Sequence, residues 1–188
     1  MKNDEIIKLI DFTLLKREKT NEELMKFLFK AKEYQPQAVC IFPEDILYAK
    51  EILDSSISIA VVVGGFPEGS SNCEEIVEEI RMAIKLGADE IDIVLEPRED
   101  DNYPNEIELE KLVTMREASE GKILKVIIET PLLTERKIRA ITRMSLAVGV
   151  DFVNTPGVGN PTIRAQRADA PTGISKLLLS GTAGIGKT

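Results

Sequence analysis

Apolar positions along the chain fall into two alternating patterns. Short β-branched runs occur at 10–15, 38–42, 57–66, 90–95, 124–130, 151–155 and 176–180. Most of the stretches between them carry a helical period. Thr20 with Glu23 forms a capping box, after which Leu24, Phe27, Leu28 and Ala31 repeat on one helix face. Ser71 with Glu74 predicts a second box, leading Ile76, Val77, Ile80, Ala83 and Ile84 to a stop at Gly87. Residues 106–118 and 134–148 follow the same rule, the latter ending at Gly149. The runs at 59–63 and 126–128 are apolar without alternation, as strands buried on both faces of a parallel sheet must be. The order is therefore strand, helix, strand, repeated: an α/β chain.

A weak internal echo supports a (β/α) array. "LGADEIDIV" (86–94) and "VGVDFVNT" (148–155) each place a glycine after a helix, an aspartate two residues on, and then a strand. No Gly-x-Gly-x-x-Gly follows the first strand, so a dinucleotide-binding sheet has no support.

Composition narrows the chemistry. The chain has 188 residues, no histidine, two cysteines, a net charge of −8 and 43% hydrophobic residues. Histidine-based triads and histidine-ligated metals are excluded. Cys40 and Cys73 are too few for a disulfide framework or a four-thiolate site, which suits a reducing compartment. The acidic balance argues against a nucleic-acid surface. No apolar run is long enough to span a membrane, and the first five residues are too charged for a signal peptide. The expectation is a single cytoplasmic domain over residues 1–188.

Asp92 stands out in this frame. Flanked by Ile91 and Ile93 in an apolar strand, it is costly to bury unless partnered, and so marks a functional site. Lys125 and Glu129 share a strand face by period-two alternation. Their plain reading is a buried ion pair in an interior polar layer. Cys40 reads as a core thiol.

Ordered motifs then carry a family resemblance: "IDFTLLK" (10–16), "AVCIFP" (38–43), "GGFPEG" (64–69), "GADEIDIVL" (87–95), "LKVIIET" (124–130) and "GVDFVNT" (149–155). Over roughly 150 residues the chain resembles deoxyribose-phosphate aldolase. That family is a (β/α)8 TIM barrel cleaving 2-deoxyribose 5-phosphate to acetaldehyde and glyceraldehyde 3-phosphate, in deoxyribonucleotide catabolism. It works through a lysine Schiff base, without a metal or other cofactor. The resemblance implies a barrel with about seven of its eight strands present, because this fold typically takes about 250 residues. An unfinished barrel leaves open edges through which copies of the chain, or another partner, can pair.

Asp92 matches the family's catalytic aspartate, which shuttles protons with ordered water. The Schiff-base lysine of the family motif "FVKTSTG" is Asn154 here, and an amide nitrogen cannot form an imine. The second family lysine, in a "KASGGIRT"-like stretch, aligns with Ser180 in "SGTAGIGKT". The resemblance thus implies a member that has lost the aldol mechanism and retains, at most, sugar-phosphate binding. An active lyase using a relocated amine, Lys125, is the alternative, and a non-enzymatic module completed by a partner is another. Gly157, Gly159 and Gly184 are the candidate phosphate-binding positions, by resemblance to the family's phosphate loops. Residues 160–173, with proline near each end and little apolar face, depart from the family's helix.

Residues 181–188, "GTAGIGKT", also match the P-loop pattern G-x-x-x-x-G-K-T. A working P-loop needs a following helix, which the sequence does not contain. The stretch reads as a barrel phosphate loop with one extra glycine.

Overall fold

The structure is a computed structural model that describes residues 6–98, 100–155, 163–166 and 179–181. Its strands are β1 (Asp11–Thr13), β2 (Ala38–Ile41), β3 (Ser58–Val63), β4 (Glu90–Leu95), β5 (Ile123–Ile128), β6 (Phe152–Thr155), β7 (Ile163–Gln166) and β8 (Leu179–Gly181). The helices are α1 (Asn21–Tyr34), α2 (Ile46–Ile52), α3 (Cys73–Leu86), α4 (Glu106–Ala118) and α5 (Glu135–Val148). Strands β1 to β6 pair in chain order, all parallel. This is a curled α/β arc of the TIM-barrel type.

Local chemistry sets the helix ends. Thr20 and Glu23 form the expected reciprocal box: the Glu23 N–H donates to Thr20 Oγ1 at 3.1 Å and the Thr20 N–H to Glu23 Oε2 at 2.8 Å. The second box is corrected. Helix α3 begins at Cys73, so the cap is Asn72, not Ser71, and its carboxamide accepts the Glu74 and Glu75 N–H groups at 3.2 and 3.3 Å. The echo at Gly87 and Gly149 proves to be one joint used twice. Both glycines close helices in the left-handed region, with φ of 112° and 89°. The aspartate two residues on then clasps a neighbouring strand: Asp89 Oδ2 accepts the Ile59 N–H at 3.0 Å and Asp151 Oδ2 the Leu124 N–H at 2.9 Å.

The sheet's two faces differ. One presents Val39, Ile41, Val61, Ile91, Ile93, Leu124 and Val126 to the apolar stripes of the helices, including Leu28, Ile80, Leu112 and Ile141, all fully buried. Burying each large apolar side chain contributes about 1.5–3 kcal/mol. The other face lines the inside of the arc with the small apolar group Ala38, Cys40, Phe42, Ala60 and Val62. It also carries the buried polar residues Asp11, Glu90, Asp92, Lys125 and Asn154.

The expected seventh barrel strand over 176–180 is also corrected. Strand β7 runs antiparallel to β6, and β8, which overlaps that run, pairs antiparallel with β7. The seven residues between β6 and β7 are fewer than the dozen or more that a parallel return requires, which accords with the antiparallel pairing. Among the described residues no helix is long and apolar enough to cross a membrane.

Candidate active site

Parallel strands in register bring the interior polar residues together. Asp92 on β4 stands opposite Lys125 on β5, which stands opposite Phe152 on β6. Glu90 shares the Asp92 face by alternation. Asp11 arrives from β1, four strands away, which in a flat sheet would be roughly 19 Å. Lys125 Nζ nevertheless donates to Asp11 Oδ2 at 2.9 Å. Only the curl of the sheet makes that contact possible, so the ion cluster and the barrel curvature are two aspects of one feature.

Lys125 is the hub. Its ammonium lies 2.6 Å from Glu90 Oε2, 2.9 Å from Asp11 Oδ2 and 3.1 Å from Asp92 Oδ1. All four side chains are at most 5% exposed. The expected pairing of Lys125 with Glu129 is corrected: the partners are Asp11, Glu90 and Asp92, and no ion pair to Glu129 occurs among the described residues. Glu129 follows the last residue of β5 and is half-buried, above the polar layer. Partial burial raises its pKa.

Asp92 is tuned toward neutrality. Burial, reinforced by the like charges of Asp11 and Glu90 and opposed by Lys125, pushes its pKa up to about 6. Such a carboxyl exchanges protons near neutral pH, beside a fixed ammonium. Cys40 Sγ lies 3.8 Å from Asp92 Oδ2. Burial and the Asp92 charge push the thiol well above its ordinary pKa. A thiol so disposed is a weak donor, not a nucleophile.

Asn154 sits on β6, 3% exposed and in register with Ile127. It lies further toward the C-terminal ends of the strands than Phe152, which pairs with Lys125. Its Oδ1 is buried without a hydrogen-bond partner among the described residues, an acceptor on the inner face of the arc. Ser180 belongs to β8, in register with Arg164. Gly157, Gly159 and Gly184 lie outside the described residues, as does 182–188 of the P-loop-like stretch.

Two members of the cluster, Asp11 and Glu90, went unpredicted. Glu90 was within reach of the period-two rule, two residues before Asp92. Asp11 lies in "IDFT", where an acid between apolar neighbours carries the same signal as Asp92.

Comparison with known proteins agrees with this geometry. The model of the DeoC/LacD family aldolase matches residues 5–172. The chain belongs to this family. Deoxyribose-phosphate aldolase of Metamycoplasma hominis is 37% identical over 151 residues, covering 80% of this chain and 70% of that protein. The Clostridium botulinum (strain ATCC 19397 / Type A) enzyme of the same name is 42% identical over 154 residues, covering 79% and 70%. A crystal structure from Coccidioides immitis, assigned to deoxyribose-phosphate aldolase, superposes with a TM-score of 0.74 at 30% identity, covering 84% of this chain. The match spans 62% of that solved chain, less than two thirds of its length. In this chain the ion cluster from strands β1, β4 and β5 shares the interior of the arc with the buried amide of Asn154 on β6.

Proposed function

We propose that this chain, read as one domain over residues 1–188, is a barrel of the deoxyribose-phosphate aldolase type that binds a small sugar phosphate without forming a Schiff base. One observation carries the reading: the β6 position where the family motif has its imine-forming lysine holds Asn154, inside the arc and facing the interior. An amide can accept or donate a hydrogen bond to a hydroxyl or carbonyl oxygen, but its nitrogen lone pair is delocalised and does not attack a carbonyl carbon.

The relocated-amine reading has less support. An imine requires a neutral amine, usually secured by a second cation or a dry apolar pocket. Lys125 has the opposite surroundings, three carboxylates within 3.1 Å, which favour its ammonium form. Its role in this reading is to hold the polar layer together. Asp92 orients the ligand's polar end or exchanges a proton with it. Gly157, Gly159 and Gly184 remain the positions proposed for the phosphate, Glu129 a flanking carboxyl and Ser180 the place of the second lost lysine. Strand β1 has a single sheet neighbour, β2, among the described residues, and that edge is where a second copy would pair.

The decisive experiment incubates the protein with 2-deoxyribose 5-phosphate and sodium borohydride and measures the intact mass. The expected mass is unchanged, while equilibrium dialysis shows saturable binding of the same compound. A reduced adduct mapped by peptide sequencing to Lys125 would overturn the proposal and establish an active lyase with a relocated amine. Absence of saturable binding would remove the sugar phosphate as ligand.

A further inference from the structure

The inner polar layer is closed. Asp92 is 4% exposed and Asn154 3%, so a ligand reaches them by displacing a segment that covers the arc. Residues 14–20 are such a segment. They leave β1 without helix or strand structure and touch the chain beyond the C-terminal ends of β2 and β3, the end of the sheet where barrel ligands enter. Leu15 and Phe66 both pack against the inner apolar group that holds Cys40 and Phe42.

This strap is fastened firmly at its ends and weakly in its middle. At its start the Leu14 N–H donates to the Cys40 carbonyl at 2.9 Å, continuing the pairing of β1 with β2. At its far end Lys19 Nζ lies 2.7 Å from Asp45 Oδ2, in the turn Pro43–Asp45 after β2, with side chains 7% and 6% exposed. A pair so buried is costly to separate, because either charge alone would be stranded. The middle has no such anchor. Lys16 pairs with Glu23 at the solvent-exposed surface, a contact of small worth. Arg17 is exposed too, held by one hydrogen bond from Nη2 to the Phe66 carbonyl at 3.0 Å and by the Phe42 ring, whose centroid is 4.7 Å from its guanidinium.

Phe42 links these contacts. The Lys19 ammonium lies 5.2 Å from its ring centroid, and Phe66 meets it edge to face at 6.2 Å. Releasing Arg17 therefore loosens the strap and the loop after β3 together, while Lys19 keeps the strap in place for reclosure.

We propose that residues 14–20 are a gate over the inner face: the middle of the strap, latched by Arg17, lifts while Leu14 and Lys19 hold its ends. The gate controls entry to the polar layer already described and adds no ligand site of its own. Its opening is read with a thiol reagent, so the result does not depend on sugar-phosphate binding.

Cys40, 4% exposed and part of the group beneath Leu15, is a native reporter of that opening. In a Cys73→Ser background it is the single thiol of the chain, and its modification by methyl methanethiosulfonate is followed by intact mass under native conditions. The rate should lie roughly a hundredfold below that of the urea-unfolded chain. Arg17→Gln, at an exposed position that leaves the core intact, should raise it about fivefold, and Arg17→Lys less, since lysine keeps a cation over the ring. Leu124→Ala, which weakens the outer face, should leave the rate unchanged, because local opening does not draw on global stability. Three results would overturn the proposal: labelling as fast as in the unfolded chain, an unchanged rate in Arg17→Gln, or an acceleration by Leu124→Ala equal to or greater than that by Arg17→Gln.

Discussion

Leu124 and Lys125 are adjacent on β5, both at 0% exposure, and they face opposite ways. Leu124 points to the helices and stands in register with Ile91; Lys125 points into the arc and stands in register with Asp92. Equal burial hides two kinds of energetics. The outer face is a non-directional apolar layer in which each side chain contributes separately, and volume-conserving exchange among aliphatic residues is tolerated. The inner face is a set of charges that are tolerable only together, because each buried ion is costly without the others. The outer face specifies that a sheet is covered by helices. The inner face specifies how far it curls, since Asp11 and Lys125 meet only across a bent sheet.

Removing the hub should have the largest effect. Lys125→Met leaves Asp11, Glu90 and Asp92 facing one another in a dry interior, and should cost about 3–5 kcal/mol in urea unfolding at neutral pH. The deficit should shrink as the pH is lowered toward 4, because protonating those carboxylates relieves their repulsion. Leu124→Ala, one residue away, should cost about 3 kcal/mol through lost contacts and a residual cavity. Its deficit should not change with pH over the same range, because its side chain is part of the apolar core cluster. A pH-independent cost for Lys125→Met no larger than that of Leu124→Ala would break the distinction between the two faces.

The same distinction explains what was legible in the sequence. Outer-face residues announce themselves locally: the β-branched runs, the Thr20–Glu23 box and the glycine stops at 87 and 149 each fix an element within a few positions of chain. Asp92 and Lys125 were legible as buried polar residues in apolar strands, and their alternation placed them inside. Their partners were not, because the Asp11–Lys125 contact joins residues 114 apart in sequence and depends on the curl of five strands. Glu90 was obscured by its neighbour Asp89, which makes the pair look like a solvated joint; in fact Asp89 caps the Ile59 N–H and Glu90 turns inward to Lys125. The antiparallel pairing of β7 with β6 accords with the short connection length, a constraint that hydrophobic period does not encode.

The smallest effect is the most diagnostic, because its sign is opposite. The Asp92 pKa lies near 6 against an ordinary value of 3.8, so the folded state binds this proton more tightly than the unfolded chain does. As the pH rises from about 4 to about 6, the unfolded chain releases the proton first, and stability from this group falls. A shift of about two units corresponds to roughly 3 kcal/mol at 1.36 kcal/mol per unit. Asp92→Asn keeps the shape of the neutral acid and removes the ionisation, but also gives up the charged contact to Lys125. The net expectation at pH 7 is a gain of about 1–2 kcal/mol over the wild type, falling to near zero at pH 4. Stability curves of the two proteins should therefore converge in acid and separate toward neutrality. The outer face offers no equivalent, since no apolar truncation there stabilises the chain by any pH. A destabilised Asp92→Asn at pH 7 would instead mean that ionised Asp92 is a structural counter-charge on a par with Asp11 and Glu90. It would then belong to the scaffold of the arc, and its proposed part in proton exchange would lose its physical basis.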